Sequence, residues 1–241
     1  MNTFSIRYAI GKGLKNDKLD LMVIQTLLQL NNQKLKATGL FDTETQAAIE
    51  GFQKDTEKML APTGSVGPGS TTLAKLEKAL GITYEIADSS VVLGQGVEAA
   101  IKPLAIRFYC NSVPHHKMVI TSGVRTAAAQ AQAMFKKLEM KDDIIKLYLN
   151  KKAAKEVVDA YDESKKANDP ANTTVNKITA VLEKQIANKV YISSHFNAKA
   201  FDVRSRDLDA HLVELFKKVS DGYVRKLIHE GKPPHLHLEM F

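Results

Sequence analysis

Tryptophan is missing from this chain, cysteine occurs once, and no long apolar run interrupts it. The lone thiol, Cys110, excludes an intramolecular disulfide framework and any cysteine-rich zinc finger. Set in the apolar stretch Ile106 to Cys110, it is expected to be a buried structural thiol. No segment approaches the roughly 18 consecutive apolar residues of a membrane-spanning helix, so no integral membrane segment is expected. The stretch Met1 to Ile10 lacks a basic region followed by an apolar run and a small-residue cleavage site, so no Sec-type signal is expected either. Acidic residues are outnumbered by basic ones, 27 against 34, which gives a formal charge of +7 and a pI near 9.3. That balance favours polyanionic surroundings: nucleic acid, anionic lipid or bacterial wall polymer. The basic residues form no block, however. In Lys151 to Lys166 (KKAAKEVVDAYDESKK) acids and bases alternate without an aromatic platform, which fits a solvated helix face and argues against specific nucleic-acid binding.

With 241 residues, 44% of them hydrophobic, the chain is long enough for one large domain or two modest ones. Leu19, Leu21, Met22, Ile24, Leu27, Leu28 and Leu30 recur at helical spacing, with Asn16 or Asp17 as N-cap. Thr38 to Asp42 reads as a turn, and Asp42 can cap a second helix carrying Ala47, Ala48, Ile49 and Phe52. After the breaker-rich stretch Pro62 to Gly69, Ser70 or Thr71 can cap a third helix carrying Leu73, Leu76 and Leu80. The fold class expected is α+β, in which a small N-terminal three-helix domain over residues 1–82 is joined by a linker over 83–90 to a second domain over 91–241. In order along the chain, Asp20 to Gln25 (DLMVIQ), Thr38 to Asp42 (TGLFD), Thr45 with Ala48, Phe52-Gln53 and Val66-Gly67-Pro68 resemble the peptidoglycan-binding domain found on many wall hydrolases. The resemblance covers roughly the first 80 residues and implies non-catalytic attachment to peptidoglycan.

The second domain is expected to hold a small, mostly antiparallel sheet flanked by helices. Lys117 to Ser122 reads as a buried strand, with Arg125 at its end and an Ala- and Gln-rich helix after Thr126. The adjacent His115 and His116 would point to opposite sides of an extended chain and are read as loop residues. A helical insertion is expected over about 134–190, broken at Ala167 to Pro170, with Thr173 or Thr174 as the following N-cap. Val190-Tyr191-Ile192 reads as the lead-in of a strand ending near His195, and Ala200 to Val203 as the next strand. His235 and His237 lie two apart, so on a strand they share one face while Leu236 and Leu238 share the other. A catalytic zinc takes three protein ligands from His, Asp and Glu and leaves its fourth position to water. His195, Asp202 and one of the two C-terminal histidines supply such a set.

Ser193-x-His195-x-x-Ala198-x-Ala200-x-Asp202 resembles the S-x-H-x-x-G-x-A-x-D signature of zinc D-Ala-D-Ala carboxypeptidases and the related L-Ala-D-Glu endopeptidases of phage endolysins. Ser122 to Thr126, with Gln130 five residues after the arginine, is similar to the same family's S-G-x-R-[ST] segment. The resemblance implies zinc ligation by His195, Asp202 and His237, and contact with the substrate peptide by Arg125, Gln130 and Ser193. Ala198 stands where the signature has glycine, a change that asks for a negative φ. Pro234 stands where many members carry an acidic general base. Relatives of the lysostaphin-like type use the first histidine of an H-x-H pair, which makes His235 the candidate base; Glu239, on the same strand face as His237, is the alternative. The combined expectation is a monomeric, zinc-dependent peptidoglycan peptidase of the endolysin type, made in the cytoplasm and acting on the wall after release by a holin or a secretion machine. A wall-binding protein with an impaired peptidase half, and a wall-degrading secreted effector, are the alternatives.

Overall fold

The structure, a computed structural model, describes residues 3–148, 150–231 and 233–241. Helix α1 (Lys18–Leu30) starts at Asp17, whose carboxylate accepts from the amides of Leu19 and Asp20. Helix α2 (Thr43–Asp55) is capped by Asp42 and α3 (Thr71–Leu76) by Ser70, each accepting from the amide three residues on. Leu80, expected on α3, lies beyond its end. Two buried glutamines hold the intervening turns in the same way. Gln25 Oε1 accepts from the amides of Thr38 and Gly39 at 2.9 and 2.8 Å, and Gln53 Oε1 accepts from those of Thr63 and Gly64 at 2.9 and 3.0 Å. Each Nε2 donates to the carbonyl that follows, Leu40 O or Ser65 O, at 2.9 Å. The glycines turn at φ 70° and 62°, the left-handed region that only glycine enters freely. The Thr-Gly turns are thus an internal structural repeat.

These helices share their core with α4 (Gln95–Asn111) instead of closing one of their own. Ile24, Leu28, Ile49 and Phe52 pack with Ile106 and Cys110 of α4. Cys110 is fully buried, and burial pushes its thiol far above the ordinary range, as suits an inert structural residue. The same junction holds an ion pair between Arg107 and Asp20, both buried. Asp20 also accepts from the amides of Arg7 and Tyr8 at 3.1 and 2.8 Å, and Arg107 donates to Ser5 O at 3.3 Å. The stretch expected to be a linker contains strand β1 (Tyr84–Ile86), which pairs in parallel with β2 (Met118–Ser122). A hydrogen-bonded strand cannot act as a tether.

The sheet is completed by β3 (Ala200–Arg204), β4 (Lys226–Gly231) and β5 (Pro234–Glu239), in the order β1-β2-β3-β5-β4. Only the β1–β2 pairing is parallel. Alternation sorts the two faces. Phe201, Val203, Leu236 and Leu238 pack against α4 and α9 (Ala210–Ser220), with Phe108 and Phe216 edge to face at 4.9 Å. Asp202, His235, His237 and Glu239 are left for the opposite face. Between β2 and β3 run α5 (Ala127–Glu139), α6 (Ile144–Leu147), α7 (Lys151–Lys166) and α8 (Ala171–Ala187), which realise the expected helical insertion around a core of Met134, Val157, Ile178 and Leu182.

Two local expectations fail here. Val190 to Ile192 forms no strand, because β2 is already flanked by β1 and β3 and Ile192 is buried among the insertion helices. Pro170, not Thr173 or Thr174, caps α8; Thr174 sits in its first turn, its hydroxyl bonded to Pro170 O at 3.2 Å. Among the described residues no helix is long and apolar enough to cross a membrane.

The buried pair at the junction makes an outcome measurable by urea denaturation. Asp20→Ala, which strands a buried guanidinium, should cost about 3–5 kcal/mol. Asp221→Ala, which breaks only the exposed Arg7–Asp221 pair, should cost under about 1 kcal/mol.

Candidate metal centre

Three adjacent strands bring the chemistry together. In register, Asp202 on β3 lies opposite His237 on β5 and beside Ser122 at the end of β2. His195 arrives separately, from a run of turns after α8, and the end of β2 pins it twice: its Nδ1 bonds Gly123 O at 2.5 Å, and its carbonyl accepts from Arg125 N at 3.4 Å. The bond to a carbonyl requires the proton on Nδ1 and leaves the Nε2 lone pair facing the centre. His195 Nε2, Asp202 Oδ1 and His237 Nδ1 then form a triangle with edges of 3.3, 3.3 and 2.9 Å.

Ligand atoms about 2.0–2.1 Å from a tetrahedral zinc stand about 3.3 Å apart, so this donor set and spacing fit the ion. Among the described residues these three are the group of His, Cys, Asp and Glu side chains able to hold a metal. His115 is engaged elsewhere, stacked on Tyr109 with its Nδ1 at 2.9 Å from Tyr109 O and Ser112 O. Glu239 Oε1 lies 3.5 Å from His237 Nε2, on the far side of the ring from the triangle, and so favours the tautomer that keeps Nδ1 free.

The carboxylate is held from both sides. Burial alone would raise the Asp202 pKa, but the adjoining imidazoles of His195 and His237 and the charge of Arg125 hold it well below the usual carboxylate range. Arg125 pairs with Oδ2 of Asp202 through Nη2, while its Nε donates to Ser122 Oγ at 2.8 Å and its Nη1 to Gln130 Oε1 at 3.2 Å. Of the residues expected to touch substrate, Arg125 is therefore turned toward the metal ligand, and Gln130, fully buried, supports Arg125. Ser193 Oγ accepts from His195 N at 3.3 Å and shapes the turn.

The candidate bases differ. Glu239 is nearly buried and ion-paired with Arg225 at 2.5 Å. His235 has its Nδ1 on Pro233 O at 2.7 Å, which leaves Nε2 open, 4.0 Å from Asp202 Oδ1 and 3.8 Å from Glu230 Oε1. Glu230 was not singled out in the sequence. It lies opposite His235 in the β4–β5 register, and despite burial its pKa is lowered by Lys137 at 2.7 Å. A strand–Gly-x-Pro-Pro–strand reading of 226–239 would have found it. Tyr148, whose hydroxyl accepts from Gln130 Nε2 at 2.9 Å, carries no sequence signal at all.

One backbone expectation is overturned. Ala198 has φ +57°, not a negative value. The turn has the left-handed conformation that glycine favours, and it packs directly on the backbone at residue 94, where a Cβ would meet Ala198 Cβ and O at 2.5 Å.

Comparison of the chain with protein-family models, with curated proteins and with solved structures finds no match. What the protein does therefore rests on the residues themselves.

A Cβ at Gly123 would lie 2.1 Å from Val92 O, a backbone atom that cannot swing away. Gly123→Ala should displace the carbonyl that holds His195, destabilise the fold by about 1–3 kcal/mol and weaken zinc binding at least about tenfold, read by thermal melts and chelator competition. A pH dependence follows from His237. Burial lowers its pKa, but the hydrogen bond and charge of Asp202, with Glu239 and Glu230, outweigh that and raise it above the ordinary 6.5. In the metal-free protein the proton on His237 thus stabilises the fold below about pH 6.5, and that contribution is lost as pH rises through the raised value. A zinc ion bound at the triangle would have to displace this proton. Its affinity should rise about tenfold per pH unit up to the raised pKa and flatten above it, in chelator titrations at a series of pH values.

Proposed function

We propose that the protein is a zinc-dependent peptidoglycan peptidase of the phage endolysin type, hydrolysing an amide bond of the murein stem peptide or cross-link. The observation that carries this reading is the His195, Asp202 and His237 triangle at zinc-ligand spacing, built on the Ser193 to Asp202 signature with the Ser122 to Thr126 segment on the neighbouring strand. Residues 1–82 are proposed to be the wall-binding unit. The two glutamine-held turns support this, since Gln25, Gln53 and the Thr38 to Asp42 turn belong to the pieces that carry the resemblance to peptidoglycan-binding domains. Synthesis in the cytoplasm and release by a holin or a secretion machine complete the proposal.

Zinc held by the triangle would supply Lewis-acid polarisation of a carbonyl and would acidify water toward neutral pH. The remaining work falls to side chains. Arg125, fixed by Ser122 and Gln130, keeps Asp202 ionised and sets positive charge beside the place where a carbonyl oxygen gains negative charge. His235 Nε2 is available to take a proton and to return it to the leaving amine, with Glu230 near enough to stabilise the imidazolium. Glu239, neutralised by Arg225, serves to orient His237.

One observation favours a second reading. Pro234 occupies the place of the expected acidic base, as it would in a wall-binding protein whose peptidase half is impaired. Zinc bound one to one without release of muropeptides would support that reading instead.

His195→Ala should lose stoichiometric zinc and abolish amide cleavage of purified murein, followed by mass spectrometry of released muropeptides, while murein binding by pelleting is retained. Unchanged cleavage in this variant would overturn the proposal.

A further inference from the structure

The hydrogen-bond chain that leaves Asp202 has a fixed polarity, and at its outer end stands a donor with no acceptor among the described residues. A guanidinium only donates. Arg125 therefore gives one bond to Asp202 and another to Gln130, which requires the amide oxygen of Gln130 to face the arginine. The amide nitrogen must then face Tyr148 and donate to its hydroxyl at 2.9 Å. Because Gln130 is fully buried, reversing its amide would set donor against donor at Arg125 with no water to relieve the clash. Tyr148 Oη is thus an acceptor in this chain, and its own proton has no acceptor among the described residues.

Tyr148 follows α6 in the helical insertion and is partly buried. Three hydrogen bonds, through Gln130 and Arg125, join its hydroxyl to Asp202, which places that proton at the edge of the metal centre. Burial pushes the phenol up to about 12, so the hydroxyl is a neutral donor at neutral pH.

We propose that Tyr148 is a substrate-binding residue, whose hydroxyl donates to an anionic oxygen of the peptide held at the His195, Asp202 and His237 centre. The inference rests on the peptidase reading and gives the insertion a direct part in it: one wall of the substrate cleft comes from outside the sheet.

Tyr148→Phe keeps the ring and removes only the proton donor. The probe is a phosphinate analogue of an alanyl-alanine dipeptide with a free carboxylate, titrated by calorimetry into the zinc-loaded protein. The variant should keep the zinc content and thermal midpoint of the parent while its affinity for the phosphinate falls about 10- to 100-fold, the value of one charged hydrogen bond. Its kcat/KM for muropeptide release should fall in parallel. Phosphinate affinity within about twofold of the parent, or no phosphinate binding by the zinc-loaded parent, would overturn the proposal. A lowered midpoint or lost zinc would mark Tyr148 as structural and would overturn it too. A parent that binds the phosphinate in a Tyr148-dependent way yet releases no muropeptides would uphold the donor and sink the peptidase reading. Muropeptide release with a Tyr148-independent affinity would do the reverse.

Discussion

Asp202 is the group on which the site depends, because its two oxygens answer two different demands. Oδ1 faces two imidazoles and is the corner of the ligand triangle, while Oδ2 is taken by Arg125. A carboxylate this deeply buried is costly unless it is paired and hydrogen-bonded, and removing a partner leaves an uncompensated charge. The surroundings are built to prevent that. Ser122 and Gln130 fix the arginine, Gly123 O fixes His195, and Glu239 with Arg225 fixes His237. All but Gln130, which comes from α5, sit on a strand or at a strand end of the same sheet. The centre is pre-organised because its supporting residues are tied to backbone register and not to flexible loops.

That register needs a firm sheet, and the sheet needs the first 80 residues. Helix α4 packs on one side against the strands and on the other against the N-terminal helices, so it is shared between two cores. The buried Arg107–Asp20 pair locks the junction, and Tyr223, just beyond α9, bonds Phe4 O at 2.6 Å from the other side. Stress on the N-terminal helices is therefore felt by the scaffold that positions Asp202. A substrate held by the first 80 residues would be presented in a fixed orientation relative to the centre, which lowers the entropic cost of bringing the two together.

What was legible in the sequence was local. The caps Asp17, Asp42 and Ser70 bond to amides two or three residues away, and the His-x-His spacing fixes a common strand face whatever the rest of the chain does. What escaped depends on partners distant in sequence. Val190 to Ile192 has the β-branched composition of a strand, but β2 and β3 already had a partner on each side, and Ile192 joined the helical core. The left-handed turn at Ala198 packs against Gly94, about a hundred residues earlier in the chain, an approach that only a residue without Cβ allows. Glu230 and Tyr148 belong to the same class: one is delivered by hairpin register, the other by the packing of the insertion.

The proline at 234 shows how such non-local delivery can make up for a local loss. A pyrrolidine cannot accept a proton, but it starts β5 immediately after the β4–β5 turn and pairs with Gly231 at the end of the hairpin. Closing the hairpin there sets Glu230 directly across from His235, which brings a carboxylate to the centre from the neighbouring strand at 3.8 Å from an open imidazole nitrogen. Lys137 keeps Glu230 ionised, and an ionised carboxylate stabilises a protonated imidazole. In the proposed peptidase, acid–base competence would then need no acidic residue at 234, because a histidine and a carboxylate on adjacent strands can share the work that one side chain would otherwise have carried alone.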